Sequence, residues 1–307
     1  MLDPRQFQAL RAVHEAGSVT GAARALGWSQ PTVDYHLRNL ERLLGGAALE
    51  RSPRGSHLTA AGRLLLERGD EILTLSERAL TDAQLVLRRG RPPVRFGTFP
   101  TAAVLLPSIV ARVADTDVEL EVMLKENPEL LSDLHRGELD VVLAYSVPTV
   151  RLPVRAGFSA VEVHREPMLV ALPAEHRLAA SSSLSLEALR SLHDEAWMLG
   201  ASERDPMDAL LLATFDEAGL RPEAAIRTDD SQVMLAMVAA GLAVCLMPQL
   251  AARGVHPGVA LVPIADDDFA RTLHLVVPTA RKREHLPFTL PQLERLLAAA
   301  IADSSAA

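Results

Sequence analysis

The stretch SQPTVDYHLRNLERLLGG (residues 29–46) has the spacing of a helix with two unlike faces. Val33, Leu37, Leu40 and Leu44 recur at intervals of four, three and four, which gathers them on one side of a 3.6-residue turn and directs that side inward. Ser29 supplies an N-cap, and Pro31 falls in the first turn, where a missing N–H costs nothing. The other side carries Gln30, Thr32, Asp34, Tyr35, His36 and Arg38: donors, acceptors and an aromatic ring, without the Glu/Lys pairs four apart that usually solubilise an exposed helix. Such a face calls for a partner outside the helix.

Working outward from this helix, residues 4–16 place Phe7, Leu10 and Val13 at threes, a short amphipathic helix ended by Gly17. Ser18 caps a second helix that stops at Gly27 in the manner of a left-handed C-terminal residue. Two helices separated by GWS make a helix-turn-helix, with Ala22, Ala23 and Ala25 small enough for close crossing. Downstream, AALER, SPRG and SHL alternate as a hairpin or wing that closes near residue 58.

From Thr59 a long helix runs until Gly90 and two prolines end it, spanning about 45 Å at 1.5 Å per residue. Leu66, Leu73, Leu80 and Leu87 are seven apart, and Gly62, Gly69, Ser76 and Ala83 fill the intervening position of the same seam. Large residues alternating with small ones would let a partner helix come close. Packing on its own domain is the alternative; dimerisation is preferred because no equally long helix is offered by the same chain.

After Pro93 the pattern becomes α/β. Strand-like runs VRFGTF (94–99), VELEVML (118–124), LDVVLAY (139–145) and PMLVALP (167–173) alternate with helical patterns at 103–113 and 128–136. The alternation resumes with AWML (196–199), a helix at 206–219, AIRTDD (225–230), a helix at 231–240, LAVCLMP (242–248), LVPI (261–264), LHLVVP (273–278) and a last helix at 289–302. Strand and helix in alternation imply parallel sheets covered on both sides, in two lobes with any small-molecule site between them.

Bulk properties agree with this division. The 307 residues exceed one ordinary core, and 49% hydrophobic with 4% aromatic residues is an ordinary globular composition. The net charge of −8 argues against a polyanionic partner, but residues 1–58 carry seven Arg against five acids, so the positive potential is concentrated where the opening helix lies. The N-terminus lacks the pattern of a secretion signal, and the longest apolar run, at 235–247, is 13 residues, too short to span a bilayer; the expectation is a cytoplasmic protein without a membrane partner. Cys245, the single cysteine, lies inside that run as a small core residue and excludes sensing through a thiol pair.

The residues now on hand carry a resemblance. AARALGWSQPTVDYHLRNLE (22–41), LERSPRGSHLTAAG (49–62), GTFPTAAVLLPSIV (97–110), GELDVVL (137–143) and DSQVMLAMVAAGLAVCLMP (230–248) together resemble a LysR-type transcriptional regulator over nearly the whole length. That resemblance implies a winged helix-turn-helix at 1–58, a linker helix at 59–90 that dimerises, and an effector domain at 91–303 built like a periplasmic binding protein. Its first subdomain would comprise 94–162 and 268–303, and its second 163–267. The opening helix would then enter a major groove, with Ser29, Gln30, Pro31, Thr32, Tyr35 and His36 facing double-stranded DNA, Gln30 and His36 at base edges and Arg38 on a phosphate. Arg51 and Arg54 in the wing would take the flanking backbone or minor groove.

Two departures from the family pattern stand out: Asp34 where a small hydroxyl residue is common, which unsettles the target sequence, and Leu49 where a Phe is usual. The resemblance also points to strand ends at the interlobe cleft, namely Thr98, Thr101, Lys125, Asn127, Tyr145, Ser146 and Ser202. Their hydroxyls and the helix N-terminal amides suit a small anion as effector. Seam residues Leu66, Gly69, Leu73, Ser76, Leu80, Ala83 and Leu87 would form the dimer, two dimers a homotetramer, and RNA polymerase a further partner; no cofactor and no metal are expected.

An enzyme, or a cytoplasmic small-molecule-binding α/β protein with an N-terminal interaction domain, is the competing class. No Gly-rich phosphate loop, nucleophile elbow, HExxH or paired-Cys motif supports it, and His135, His164, His176 and His193 are scattered. Asp266, Asp267 and Asp268 read as a solvated turn, since three consecutive acids do not face one ion.

Overall fold

Helix α1 (Pro4–Ala16) starts at a reciprocal capping box, in which Asp3 accepts from the first turn and Gln6 accepts from the Asp3 amide, and ends at Gly17 with φ 67°. Ser18 caps α2 (Val19–Leu26), and Ser29 caps α3 (Gln30–Leu44). A two-stranded antiparallel wing, β1 (Leu49–Ser52) and β2 (Gly55–Leu58), follows, and Thr59 caps the 30-residue α4 (Ala60–Arg89). These elements come from a computed structural model that describes residues 1–52, 55–203, 205–252, 257–279 and 286–306. The chain separates into two compact units, Met1–Pro92 with His135–Glu138, and Pro93–Leu134 with Leu139–Ala307.

The first unit has its own core, in which Val33, Leu37 and Leu40 of α3 meet Leu10 and Val13 of α1, Ala22 and Ala23 of α2, and Leu49 and Leu58 of the wing. Leu44, expected in the buried stripe, is instead 37% exposed at the last turn of α3, beyond the reach of α1. Leu49, one of the two departures noted above, is buried in this core.

The linker seam is the larger correction. Gly62, Leu66, Gly69 and Leu73, assigned to a dimer from their heptad spacing, are buried within their own unit. A Cβ on Gly62 would stand 2.0 Å from the Ala48 carbonyl oxygen, and one on Gly69 would stand 2.3 Å from Cδ1 of Phe7. Gly62 and Gly69 thus admit the segment leading into the wing and α1 of the same chain. In the C-terminal half of α4, Ser76, Leu80, Ala83 and Leu87 are exposed, as are Leu64, Ile72, Leu75 and Val86.

Gly62→Ala is therefore expected to destabilise the first unit by about 1–3 kcal/mol through overpacking, although alanine is the better helix former. Urea unfolding followed by Trp28 in a Trp197→Phe background measures it; an increase in stability would show that Ala48 yields without strain.

The second unit opens with β3 (Val94–Thr98), a short 3₁₀ turn (Pro100–Leu105), α5 (Leu106–Ala114), β4 (Leu120–Leu124), α6 (Asn127–Arg136) and β5 (Val141–Ser146). It continues through β6 (Phe158–Pro173), α7 (Leu186–Arg190), β7 (Ala196–Leu199), α8 (Pro206–Asp216), β8 (Glu223–Arg227), α9 (Ser231–Ala239) and β9 (Val244–Pro248), and closes with β10 (Val259–Pro263), β11 (Ala270–Pro278) and α10 (Leu290–Ala306). Strand order is β4-β3-β5-β11-β6-β9-β7-β8, with β10 also on β6.

The sheet is mixed where a parallel one was expected. β3 with β4 and β5, and β7 with β8 and β9, are parallel, whereas β6 and β11 run antiparallel to each other and to their other neighbours. The alternating FSAVEVHRE ahead of Pro167 makes β6 16 residues long. Its first part pairs with β11 and its second with β9 and β10, so two lobes share one strand. Each lobe keeps its own core: Phe96, Leu130, Val142, Leu143 and Leu275 in one, and Trp197, Phe215, Leu211 and Val170 in the other.

Candidate functional site

The outward face of α3 survives folding in part. Ser29, Gln30, Pro31, Tyr35 and Arg38 are exposed, Tyr35 at 63%, and Thr32 is half-buried with its hydroxyl 2.7 Å from that of Ser29. The cap bond from the Thr32 amide to Ser29 Oγ, 3.3 Å, fixes the start of the helix and so the direction in which Gln30 and Pro31 project. Pro31, Asp34, Tyr35, Arg38 and Asn39 line one concavity, as their i, i+4 spacing dictates. His36 is a correction. It is 8% exposed, covered by Trp28 with ring centroids 5.3 Å apart, because a residue three after Val33 falls on the flank of the apolar stripe. Arg51 lies in β1, and Arg54 lies outside the described residues.

In the second unit the centre of the cleft is a buried cation. Arg271, on β11, stands across the strand pair from Glu166 on β6, with its Nη2 3.0 Å from the Glu166 carboxylate. The side chains are 3% and 0% exposed. Nη1 of Arg271 donates to Thr101 Oγ1 at 2.8 Å, and the guanidinium carbon lies 4.8 Å from the Phe99 ring centroid and 5.1 Å from that of Tyr145. Two rings and a carboxylate hold one positive charge where water does not reach it.

Acids surround this cation. Asp205 caps α8 by accepting from the Met207 and Asp208 amides; Asp208 accepts from the Gly200 amide, and Asp229 from the Ala201 amide. Burial raises the pKa of Glu126 and of Asp205, and burial followed by the Asp205 charge pushes Asp208 up to about 7. Tyr145 is likewise raised, first by burial. Two concavities meet here, one beside Arg271 and one of about 290 Å³, and Glu126, Tyr145, Asp205 and Asp229 line both.

Comparison with known proteins decides what this pairing of units is. Residues 4–63 match the family description "Bacterial regulatory helix-turn-helix protein, lysR family", and residues 88–290 match "LysR substrate binding domain". This chain belongs to the LysR family. It is a DNA-binding transcriptional regulator with an effector-binding α/β unit, and not an enzyme. It is similar to a small neutral protease regulatory protein of Streptomyces coelicolor, 31% identical over 301 residues that cover 95% of this chain and 86% of that protein. The HTH-type transcriptional regulator XapR of Escherichia coli is 28% identical, with 79% of this chain and 81% of that protein covered. Among solved structures, full-length CbnR complexed with its target DNA shares the fold at a TM-score of 0.62 and 23% identity, covering 98% of this chain and 99% of that one. An OxyR mutant of Corynebacterium glutamicum gives 0.60 at 24%, covering 100% and 95%.

For this LysR-family chain, the residues nominated from sequence for the effector divide. Thr101 and Tyr145 stand at the Arg271 centre, and Asn127, Tyr145, Ser146 and Ser202 line the larger concavity. Asn127 also exchanges two hydrogen bonds with the Tyr145 backbone, and Ser146 bonds His274 at 2.8 Å, so each serves the scaffold as well. Thr98 is 1% exposed and lines neither concavity, since it closes β3 with its side chain inward. Lys125 pairs with Asp133 at 2.6 Å and is likewise absent from both linings.

The small anion expected as effector meets an unfavourable lining. The N-termini of α8 and α9 are already capped by Asp205 and Asp230, and the lining is acidic. Sequence reading missed Arg271, Glu166, Glu126, Asp208 and Asp229. For Arg271 the available signal was a lone Arg inside the otherwise apolar ARTLHLVVP, whereas Glu166, next to Arg165 in HREPMLV, carries no such mark. Among the described residues no group of three or more His, Cys, Asp or Glu is placed to hold a metal, and no helix is long and apolar enough to cross a membrane.

Proposed function

We propose that α3 reads an operator in the major groove with Ser29, Gln30, Pro31, Thr32, Tyr35 and Arg38, and that a small molecule bound in the acidic cleft controls the outcome at a promoter. The observation that carries the first part is the capped α3 itself, whose apolar stripe is buried while Gln30, Tyr35 and Arg38 stay in solvent. The structure of CbnR with its target DNA supports groove binding by a chain of this fold. Arg38, exposed on the same face, would take a phosphate, and Asp34, its i−4 neighbour, would either orient it or accept from a cytosine amino group.

Assembly is proposed through the exposed apolar residues of α4, Leu80, Ala83, Leu87, Leu64, Ile72, Leu75 and Val86, giving dimers that pair as a homotetramer. RNA polymerase is the proposed downstream partner. The effector acts by binding two quaternary states unequally, which is what a shift in operator spacing or bend requires. Thiol sensing does not fit, because Cys245 is fully buried and burial pushes its thiol up to about 12.

Selection of duplexes from a random-sequence pool on the full-length protein, followed by gel shift, tests the reading. Enrichment of a defined site, with affinity falling steeply as salt rises, is expected from phosphate contacts. A pool without enrichment at low ionic strength would overturn it.

A further inference from the structure

The lining of the cleft specifies its ligand more narrowly than the family does. Asp205 and Asp229 each commit Oδ1 to backbone amides, and no hydrogen bond is made by the Oδ2 of either one among the described residues. Glu126 stands with them, half-buried, on the rim common to both concavities. Asp208 is 3.8 Å from Arg227, and Arg271 is held by Glu166. The three rim carboxylates are therefore the charge left over.

A second, independent feature lines the same space. Arg271 is 2% exposed, yet its Nε has no acceptor, and neither oxygen of Glu166 receives an aligned hydrogen bond despite their ion pair. A buried N–H of that kind costs free energy until an acceptor meets it. Around it stand Met168, Met198, Met207 and Met234, polarisable and apolar, while Leu131, Val150, Leu152 and Pro153 line the larger concavity.

Resting on the reading of this cleft as the effector site, we propose that the effector is an organic ammonium ion. Its nitrogen sits among Glu126, Asp205 and Asp229, an acceptor oxygen beside it takes the Nε–H of Arg271, and an apolar body fills the larger concavity. A metal cation lacks the apolar body these walls are built for. The buried carboxyls support the assignment: a cation brought among Glu126, Asp205 and Asp208 lowers the cost of ionising all three. Amine affinity accordingly rises with pH as Asp208 ionises near 7, with Glu126, Asp205, Asp229, Arg227 and Arg271 the charged groups around it.

The test is titration calorimetry on the full-length protein with matched probes at millimolar concentration. Leucine, leucinol, isoamylamine and 4-methylpentanoate share one skeleton; phenylalanine, phenylalaninol, phenethylamine and 3-phenylpropionate share another. Amine-bearing probes are expected to bind and the des-amino acids not to. The amino acid and amino alcohol arms show whether carboxylate or hydroxyl meets Arg271. Glu126→Gln and Asp229→Asn should each weaken amine binding about tenfold or more, with the thermal unfolding profile of the free protein retained.

Binding of the des-amino acids as tightly as the amines, no binding by any amine, or indifference to both acid substitutions would overturn the proposal. Leu152→Trp, which crowds the larger concavity, separates that failure from failure of the site. Carboxylates that bind and are lost in Leu152→Trp leave the cleft as the site with the wrong ligand class, whereas binding indifferent to Leu152→Trp and to the acid substitutions removes the cleft itself.

Discussion

Replacing Arg271 with alanine is expected to destabilise the α/β unit by about 3–5 kcal/mol, the penalty of stranding a charge in the interior. Glu166 is fully buried, and its carboxylate faces Arg271 across the β6–β11 pair, so no other cation in that pair replaces it. Trp197 is buried in this unit and Trp28 belongs to the other, so a Trp28→Phe background leaves urea unfolding of the α/β unit under a single reporter. The double variant Arg271→Met, Glu166→Leu is expected to recover most of the loss, because apolar residues of similar volume carry no desolvation cost. A single variant that costs under about 1 kcal/mol would show that water or a shifted side chain compensates Glu166.

The second large effect lies on the opposite unit and on binding, not stability. Gln30→Ala with Tyr35→Ala should weaken operator affinity by about 30-fold or more, on the order of 1–3 kcal/mol for each base contact removed. Thermal stability should be unchanged, since both side chains are exposed and outside the core of α3. Fluorescence anisotropy across a salt series distinguishes their role from that of Arg38. The pair should lower affinity at constant salt slope, whereas Arg38→Ala should reduce the slope by about one and act equally on all sequences. Unchanged operator binding by the double variant would remove α3 from the groove. His36 has no place in this experiment, because its loss would open a hole beneath Trp28.

The contrast between His36 and Tyr35 shows where sequence reading ends. Caps, glycine stops and the three-and-four spacing of Val33, Leu37 and Leu40 are local physics, and they located α1 to α4 with their turns. Whether a residue at the margin of a stripe is covered depends on what the preceding turn lays over it, and Trp28 is not in the period. The first half of the α4 heptad, Gly62 to Leu73, was assigned to a partner helix for a related reason. Small residues every seventh position announce close approach but not what approaches, and here it is the Ala48 backbone and the Phe7 side chain of the same chain.

In the α/β unit the strand runs were visible because apolar blocks between turns are. The antiparallel course of β6 and β11 was not visible, since direction is set by connections and not by composition. The effector residues named from sequence were five hydroxyls with Lys125 and Asn127 at strand ends, a reasonable chemistry for an anion. The buried pair at the proposed site is an Arg and a Glu 105 positions apart, which only pairing of β6 with β11 brings together.

Because β6 is a member of both lobes, the cleft has restricted ways to move. Sliding one lobe past the other would tear ladder bonds on both sides of a single continuous backbone, to β11 before Pro167 and to β9 and β10 after it. Pro167 has no amide to lose, and a flexure there would strain two backbone bonds, Gln249 N–H to the Pro167 carbonyl and Met168 N–H to the Phe269 carbonyl, in place of a whole ladder. A bend at that point would adjoin Glu166, so a molecule that engages Arg271 would bear on the one place where the shared strand can yield.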